Sequence, residues 1–133
     1  MILYLDASAL VKRYLEEEGS ELVHEVMRAA DAWVACRVGY VETVRAVALA
    51  AGRTAARRAA DEWTAIEVIE VDGGLAERAA ELAITHRLRT LDALHLAAAL
   101  LAPPADLVLT TWDRQLHGAA KAAGLLLAPE HLS

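Results

Sequence analysis

Cysteine is almost absent from this chain of 133 residues, in which Cys36 is the only example. A single cysteine excludes an internal disulfide and any cysteine-rich zinc or iron–sulfur site. A catalytic thiol would need a partner, and no local pattern ties any of the five histidines to Cys36. The preceding Trp33-Val34-Ala35 instead favours a buried thiol that packs as a small hydrophobic side chain.

Long hydrophobic runs are also lacking. The longest uncharged stretch, residues 93–105, contains His95 and ends in Pro103-Pro104, well short of a membrane span. No basic segment precedes the apolar N-terminal residues, and Asp6 interrupts them too early for a signal peptide. Together with the length, these absences predict one cytoplasmic domain over residues 1–133 with no membrane association.

Positive charge is in deficit, since the formal net charge is −6. That balance argues against a protein that holds nucleic acid on a broad basic surface, although a local basic groove remains compatible with it. A glycine-rich phosphate loop is missing, and the histidines include no close pair of the kind that binds zinc.

Apolar runs and helical patterns alternate along the chain. Buried strands are predicted at residues 2–5, 33–36, 68–71, 106–110 and 125–127. Helices are predicted at residues 9–18, 21–30, 38–51, 54–66, 73–88, 92–101 and 115–123, with Ser8, Ser20 and Asp72 as N-caps. Alternation of this kind indicates an α/β fold with a parallel sheet covered by helices on both faces.

Four acids lie in otherwise apolar surroundings: Asp6, Glu42, Asp92 and Asp113. Each has an ordinary explanation, because the three aspartates can cap helices or make turns and Glu42 can pair with Arg45 three residues later. Asp6 and Asp113 also follow predicted strands, where a parallel α/β sheet places its ligands. Acids that enter a core region together need a shared cation, so the set predicts a metal site.

The donor type narrows the choice of metal. An all-carboxylate set suits Mg²⁺ or Mn²⁺, whereas zinc prefers nitrogen or sulfur. Because like charges repel before metal arrives, some of these acids should have raised pKa values. His95, one helical turn after Asp92, is open to two interpretations: support for the site, or a packed core histidine.

The segments around these acids resemble the PIN-domain ribonucleases, above all the toxins of VapBC toxin–antitoxin modules. The matching segments are Leu5-Asp6-Ala7-Ser8-Ala9, Val41-Glu42-Thr43-Val44, Leu91-Asp92-Ala93-Leu94-His95-Leu96-Ala97 and Thr110-Thr111-Trp112-Asp113. The resemblance implies a three-layer α/β/α domain with a mainly parallel sheet of four to five strands. It further implies an endoribonuclease that uses Mg²⁺ or Mn²⁺, forms a homodimer and is blocked by a cognate VapB-like antitoxin.

The same resemblance assigns roles to individual residues. It implies that Asp6, Glu42, Asp92 and Asp113 bind the metal, and that the hydroxyls of Ser8 and Thr111 orient a carboxylate or water unless they only cap or turn the chain. For Trp112, core packing is favoured over base stacking. Candidates to hold the RNA backbone, chosen by nearness to the acids, are Lys12, Arg13, Arg45 and Arg89.

Two other functions are compatible with the same residues. One is a non-catalytic PIN-like module that binds RNA or a partner, and the other is a metal-dependent DNA nuclease.

Overall fold

Five short strands form the centre of the molecule in the computed structural model, which describes all residues, Met1–Ser133. The strands are β1 (Ile2–Leu5), β2 (Ala32–Cys36), β3 (Glu67–Ile69), β4 (Leu107–Thr110) and β5 (Leu126–Ala128). The helices are α1 (Ala7–Tyr14), α2 (Ser20–Ala29), α3 (Arg37–Ala51), α4 (Arg53–Glu62), α5 (Gly73–His86), α6 (Thr90–Ala99) and α7 (Arg114–Ala122). Short 3-10 helices lie at Trp63–Ala65 and Pro104–Asp106.

The strands make one sheet in the order β3-β2-β1-β4-β5, and every neighbouring pair is parallel. The predicted α/β fold with a parallel sheet is therefore confirmed. β1 is the central strand, with β2 on one side and β4 on the other. The chain runs from β1 through β2 to β3 on one side of the sheet and then crosses to β4 and β5 on the other. The crevice at the carboxyl ends of β1 and β4 is therefore the expected ligand position in a sheet of this type.

Two hydrophobic clusters cover the two faces of the sheet. Successive side chains of a strand point to opposite faces, and β1 follows this rule. Leu3 and Leu5 pack with residues of α1 and α2, whereas Tyr4 packs with residues of α5, α6 and α7. All three β1 side chains are fully buried, so the strand that leads to Asp6 is fixed by packing on both sides.

Two predicted helix starts were wrong, because the sequence offered a choice of caps. Helix α1 begins at Ala7 after the N-cap Asp6, and Ser8 lies inside its first turn. Helix α2 follows the N-cap Gly19, whose φ is 95°, while the Ser20 hydroxyl donates to the Leu15 carbonyl oxygen. Asp72 does cap α5, accepting from the Leu75 N–H at 2.8 Å.

Other element ends differ by a few residues from those predicted. Helix α6 starts at Thr90, so Asp92 stands in its first turn and does not cap it. Helix α4 ends at Glu62, and the chain continues as a 3-10 helix where a longer α-helix was expected. None of the helices combines the length and the apolar character that crossing a membrane requires.

Candidate functional site

Asp6 is the most buried of the four acids, with 4% of its surface exposed at the end of the central strand. Its Oδ1 accepts from the Ala9 N–H at 3.0 Å and from the Ser8 hydroxyl at 2.7 Å, and its Oδ2 accepts from the Thr111 hydroxyl at 2.5 Å. Burial raises the pKa of Asp6, while these hydrogen bonds act against the rise. Asp6 is thus a fixed carboxylate at the crevice.

The turn after β4 is tied to Asp6 by two hydroxyls. Besides its bond to Asp6, the Thr111 Oγ1 accepts from the Asp113 N–H at 3.0 Å. The Ser8 Oγ accepts from the Trp112 N–H at 2.9 Å. Both hydroxyls therefore contact the carboxylate and also set the path of the turn that carries Asp113.

Asp113 is the N-cap of α7, as one of the sequence alternatives anticipated. Its Oδ1 accepts from the Leu116 N–H at 2.9 Å, and the side chain is half-buried. No protein group donates to Oδ2. Capping uses one oxygen of this carboxylate and leaves the other for a ligand.

Asp92 is half-buried in the first turn of α6, and its side chain forms no hydrogen bond with the protein. Burial raises its pKa first, the charge of Asp113 raises it further, and Asp6 and Glu42 add to the effect. The predicted rise in pKa is confirmed for Asp6 and Asp92, although burial is its largest cause at both, and the repulsion that the sequence suggested contributes at Asp92. The other three acids thus all act electrostatically on Asp92.

Glu42, half-buried on α3, is held by a histidine rather than by Arg45. Its Oε1 lies 2.7 Å from the Nε2 of His95, which is only 2% exposed. Arg45 is exposed and forms no ion pair, so the expected pair with Glu42 is not formed. On its other side, the His95 Nδ1 lies 2.8 Å from the Tyr4 hydroxyl. His95 therefore both packs in the core and supports the site.

Lys12 and Trp112 lie together at the rim of the site. The Lys12 Nζ donates to the Glu17 carboxylate at 3.1 Å and to the Glu18 carbonyl oxygen at 2.7 Å. It also stands 4.7 Å from the centre of the Trp112 ring, a cation–π contact. Trp112 packs against the core beside α1, as the sequence interpretation preferred.

The remaining basic candidates have different surroundings. Arg13 binds Glu62 through two hydrogen bonds, of 2.5 Å and 2.9 Å, and so is committed to joining α1 and α4. Arg45 and Arg89 are exposed and have no carboxylate partner. Together with Lys12, Glu42 and other residues, Arg45 lines an open cleft of about 630 Å³ beside the acids.

The donor chemistry fits a hard divalent cation, because the four acids and two adjacent hydroxyls offer only oxygen. Asp6 and Asp92 have pKa values raised by burial, and repulsion from the other acids adds to the rise at Asp92, a cost that a bound cation would relieve. No three His, Cys, Asp or Glu side chains converge into a ready-made metal-binding group. The acids are close enough to interact, and a cation would have to draw them closer.

The family model of the PIN domain matches residues 3–121. Ribonuclease VapC45 of Mycobacterium tuberculosis is 39% identical over 141 residues, which cover 98% of this chain and 97% of that protein. Among solved structures, VapC20 of M. tuberculosis, a Sarcin-Ricin loop cleaving toxin, has a TM-score of 0.77 at 18% identity, covering 93% of this chain and 96% of that one. A toxin-antitoxin complex from Klebsiella pneumoniae has a TM-score of 0.66 at 19% identity, covering 84% and 86%.

Proposed function

This chain belongs to the PIN-domain family, and on that premise we propose that it is a metal-dependent endoribonuclease that acts as the toxin of a toxin–antitoxin pair. The observation that carries the proposal is the state of Asp92, which has no hydrogen-bond partner and whose pKa is raised by burial and by three other acids. A structural carboxylate would be paired, whereas a ligand-binding one is left free. The likeness to Ribonuclease VapC45 supports RNA as the substrate.

We propose Mg²⁺ or Mn²⁺ as the cofactor, held by Asp6, Glu42, Asp92 and Asp113. When bound, such a cation supplies Lewis acidity, which stabilises the negative charge that develops on a phosphodiester during attack by water. Asp92 has no protein partner, and Asp113 and Glu42 each keep one oxygen without a partner, so these three are the first candidates to bind it directly. Asp6, fixed on both oxygens, would complete the cluster.

Ser8 and Thr111 orient Asp6 in this proposal, since each donates a hydroxyl hydrogen to it. Arg45, Lys12 and Arg89 are proposed to contact the RNA backbone, because phosphate contacts position a nucleic acid without reading its bases. Arg45 has the strongest claim, being exposed, unpaired and part of the cleft beside Glu42. The firm pairing with Glu62 leaves Arg13 out.

A VapB-like antitoxin is the proposed protein partner, and a homodimer is the proposed assembly. The fold shared with one chain of a Klebsiella pneumoniae toxin-antitoxin complex supports the first of these. Val41 and Leu91 are exposed apolar side chains in the wall of the cleft, and both suit contact with an antitoxin segment. An arginine of that segment would be attracted by the negative charge of the four acids.

Cleavage of RNA by the metal-stripped protein, with Mg²⁺, Mn²⁺ or EDTA added, tests this function. We expect RNA cleavage only when metal is added. The cleavage rate should fall by at least about 100-fold in Asp92→Asn, because this acid contributes to stabilising the charged transition state. Asp61→Asn is the matched control, since Asp61 is exposed on α4 and its carboxylate has no partner.

Four results would contradict the proposal. Cleavage that persists in EDTA would show that the reaction needs no divalent metal. Full activity in Asp92→Asn would show that the four acids are not the active site. Wild-type protein that binds RNA without cutting it, and that is harmless when expressed alone, would favour the non-catalytic module. Cutting of DNA in preference to RNA would favour the DNA nuclease.

A further inference from the structure

A buried line of hydrogen bonds runs beneath the acids, and we name it the Tyr4–His95 relay. The Cys36 N–H donates to the Tyr4 hydroxyl oxygen at 3.2 Å. The Tyr4 hydroxyl lies 2.8 Å from the His95 Nδ1, and the His95 Nε2 lies 2.7 Å from the Glu42 Oε1. Tyr4 and Cys36 are fully buried, so water does not supply these bonds.

Only one placement of the hydrogens satisfies the whole relay. The Tyr4 oxygen already accepts from Cys36, and its own hydrogen has no acceptor other than the His95 Nδ1. Nδ1 must then be the unprotonated nitrogen of a neutral imidazole, which places the hydrogen on Nε2. That Nε2–H donates to Glu42, whose Oε2 has no partner in the protein.

The relay connects the three elements that carry Asp6, Glu42 and Asp92. Tyr4 lies two residues before Asp6 on β1, and His95 lies one helical turn after Asp92 on α6. Cys36 ends β2 directly before α3, the helix of Glu42. These acids are therefore tied to one internal frame, Glu42 directly and Asp6 and Asp92 through Tyr4 and His95, which lie close to them along the chain.

We propose that Tyr4 and His95 are positioning residues that fix the direction of Glu42 and thereby raise the affinity of the acid cluster for a divalent metal. The inference rests on the proposed function, because it takes the four acids as the metal site. Partners of metal ligands typically change metal affinity by about 10- to 100-fold when they are removed. Here the hydrogen bond from the Tyr4 hydroxyl fixes the tautomer of His95. In that tautomer the Nε2–H donates to the Glu42 Oε1.

Simple core packing is the competing explanation. The Tyr4 and His95 rings meet edge to face at 5.9 Å, and a Cβ added at Gly39 of α3 would lie 3.4 Å from the His95 ring. Close packing accounts for the burial of the imidazole. Burial alone requires that both ring nitrogens find hydrogen-bond partners, but not that one partner be an acid of the proposed metal site, which a positioning role does require.

Mn²⁺ binding to the full-length, metal-stripped protein separates these explanations, with free Mn²⁺ measured by its electron paramagnetic resonance signal. Tyr4→Phe and His95→Leu should each weaken binding by about 10-fold or more. His95→Gln should stay within about threefold of wild type, because its amide N–H can still donate to Glu42.

Thr43→Val is the matched control for the loss of one buried hydroxyl. Thr43 is fully buried on the same helix as Glu42, and its hydroxyl has no hydrogen-bond partner. Its Mn²⁺ affinity should equal that of the wild type. Imidazole nitrogen NMR of the unmodified protein provides a readout that needs no variant, and it should report the Nε2–H tautomer of His95.

The proposal is overturned if Tyr4→Phe and His95→Leu bind Mn²⁺ as tightly as Thr43→Val, or if His95 carries its hydrogen on Nδ1. If those two variants fail to fold, a hydrogen on Nδ1 of His95, or a His95→Gln affinity about 10-fold or more below that of the wild type, overturns the proposal. If the wild-type protein binds no Mn²⁺, the proposed metal site itself is wrong. If the wild type binds Mn²⁺ and the relay variants bind it equally well, only the positioning role is wrong.

Discussion

Replacing Asp92 by Asn should make the metal-free protein more stable while abolishing its proposed activity. Asp92 is the suitable acid for this test, because its side chain has no hydrogen bond to lose. Asp6 and Asp113 cap helices and Glu42 holds His95, so their replacement would remove native contacts as well as charge. The Asn side chain has nearly the shape of Asp and carries no charge to be desolvated or repelled.

The size of the stability gain in Asp92→Asn follows from opposing effects on the partly exposed Asp92 carboxylate. Burial and three neighbouring acids raise its pKa, and each unit of such a rise is equivalent to about 1.4 kcal/mol. Solvent screening reduces this value for a half-exposed group, and the positive end of α6 stabilises the carboxylate by about 0.3–1 kcal/mol. We expect a net gain of about 0.5–1 kcal/mol, or roughly 3 °C in melting temperature for a chain of this size.

Urea denaturation at pH 7 in EDTA and low salt measures the free energy of unfolding. Glu21→Gln is the matched control, because Glu21 is an exposed acid in the first turn of α2. Removing that charge should lower stability by about 0.3 kcal/mol, the opposite sign, because only the favourable helix-end interaction is lost.

The pH dependence provides a second check on the same variant. The pKa of Asp92 is higher in the folded state than in the unfolded state, so wild type loses stability as the pH rises through the folded-state value. The advantage of Asp92→Asn should therefore shrink as the pH falls and disappear below about pH 3, where the carboxyl is protonated in both states. An Asn variant no more stable than wild type in EDTA, or an advantage that persists in acid, would refute the reasoning.

Three further predictions concern packing and ion pairing. Gly19→Ala should destabilise the fold by more than about 2 kcal/mol in urea denaturation, because φ is 95° and the new Cβ would lie 2.6 Å from the Trp112 ring. Gly118→Ala should instead stabilise it by about 0.5–1 kcal/mol, since that helical position is exposed and has nothing within 4 Å; a loss would contradict the backbone argument. Arg13→Gln should cost about 1–2 kcal/mol at pH 7. The hydrogen bond from Arg13 lowers the pKa of Glu62, so this difference should shrink as the pH falls below about 4; a cost independent of pH would contradict it.

Strand ends are the part of the site that sequence reasoning placed well. Continuous apolar runs indicate strands buried on both faces, and such strands are parallel, so their carboxyl ends meet at one edge. Asp6 and Asp113 follow β1 and β4, which pair directly, and they therefore lie together as expected. No knowledge of side-chain contacts was needed for that step.

The partner of Glu42 is the part that could not be predicted. Helical spacing pointed to Arg45, three residues away, but the actual partner is His95, 53 residues away on another helix. Periodicity identifies which face of a helix is buried and leaves open what lies against it. Tyr4 was missed for the same reason, although a buried tyrosine always needs a partner for its hydroxyl, and that need was the available signal.

Helix starts show a related limit. Asp6 and Ser8 are both good N-cap residues, and local propensity does not choose between them. The choice is made by Thr111 and Trp112, whose hydroxyl and N–H engage Asp6 and Ser8 from about 100 positions later in the chain. Likewise, local sequence cannot tell how closely four acids on separate elements approach one another.

Because β1 pairs with β4, the parts of the acid cluster are synthesised on the ribosome at widely separated times. Strand β1 is synthesised well before its neighbour β4 and before the Thr111 hydroxyl that donates to Asp6, which arrive only with residues 107–111. A nascent chain that ends before these residues still holds Asp6 through Ser8 and Ala9, but it lacks the Thr111 hydroxyl and Asp113. The acid cluster is therefore incomplete until residue 113 has been added to the chain.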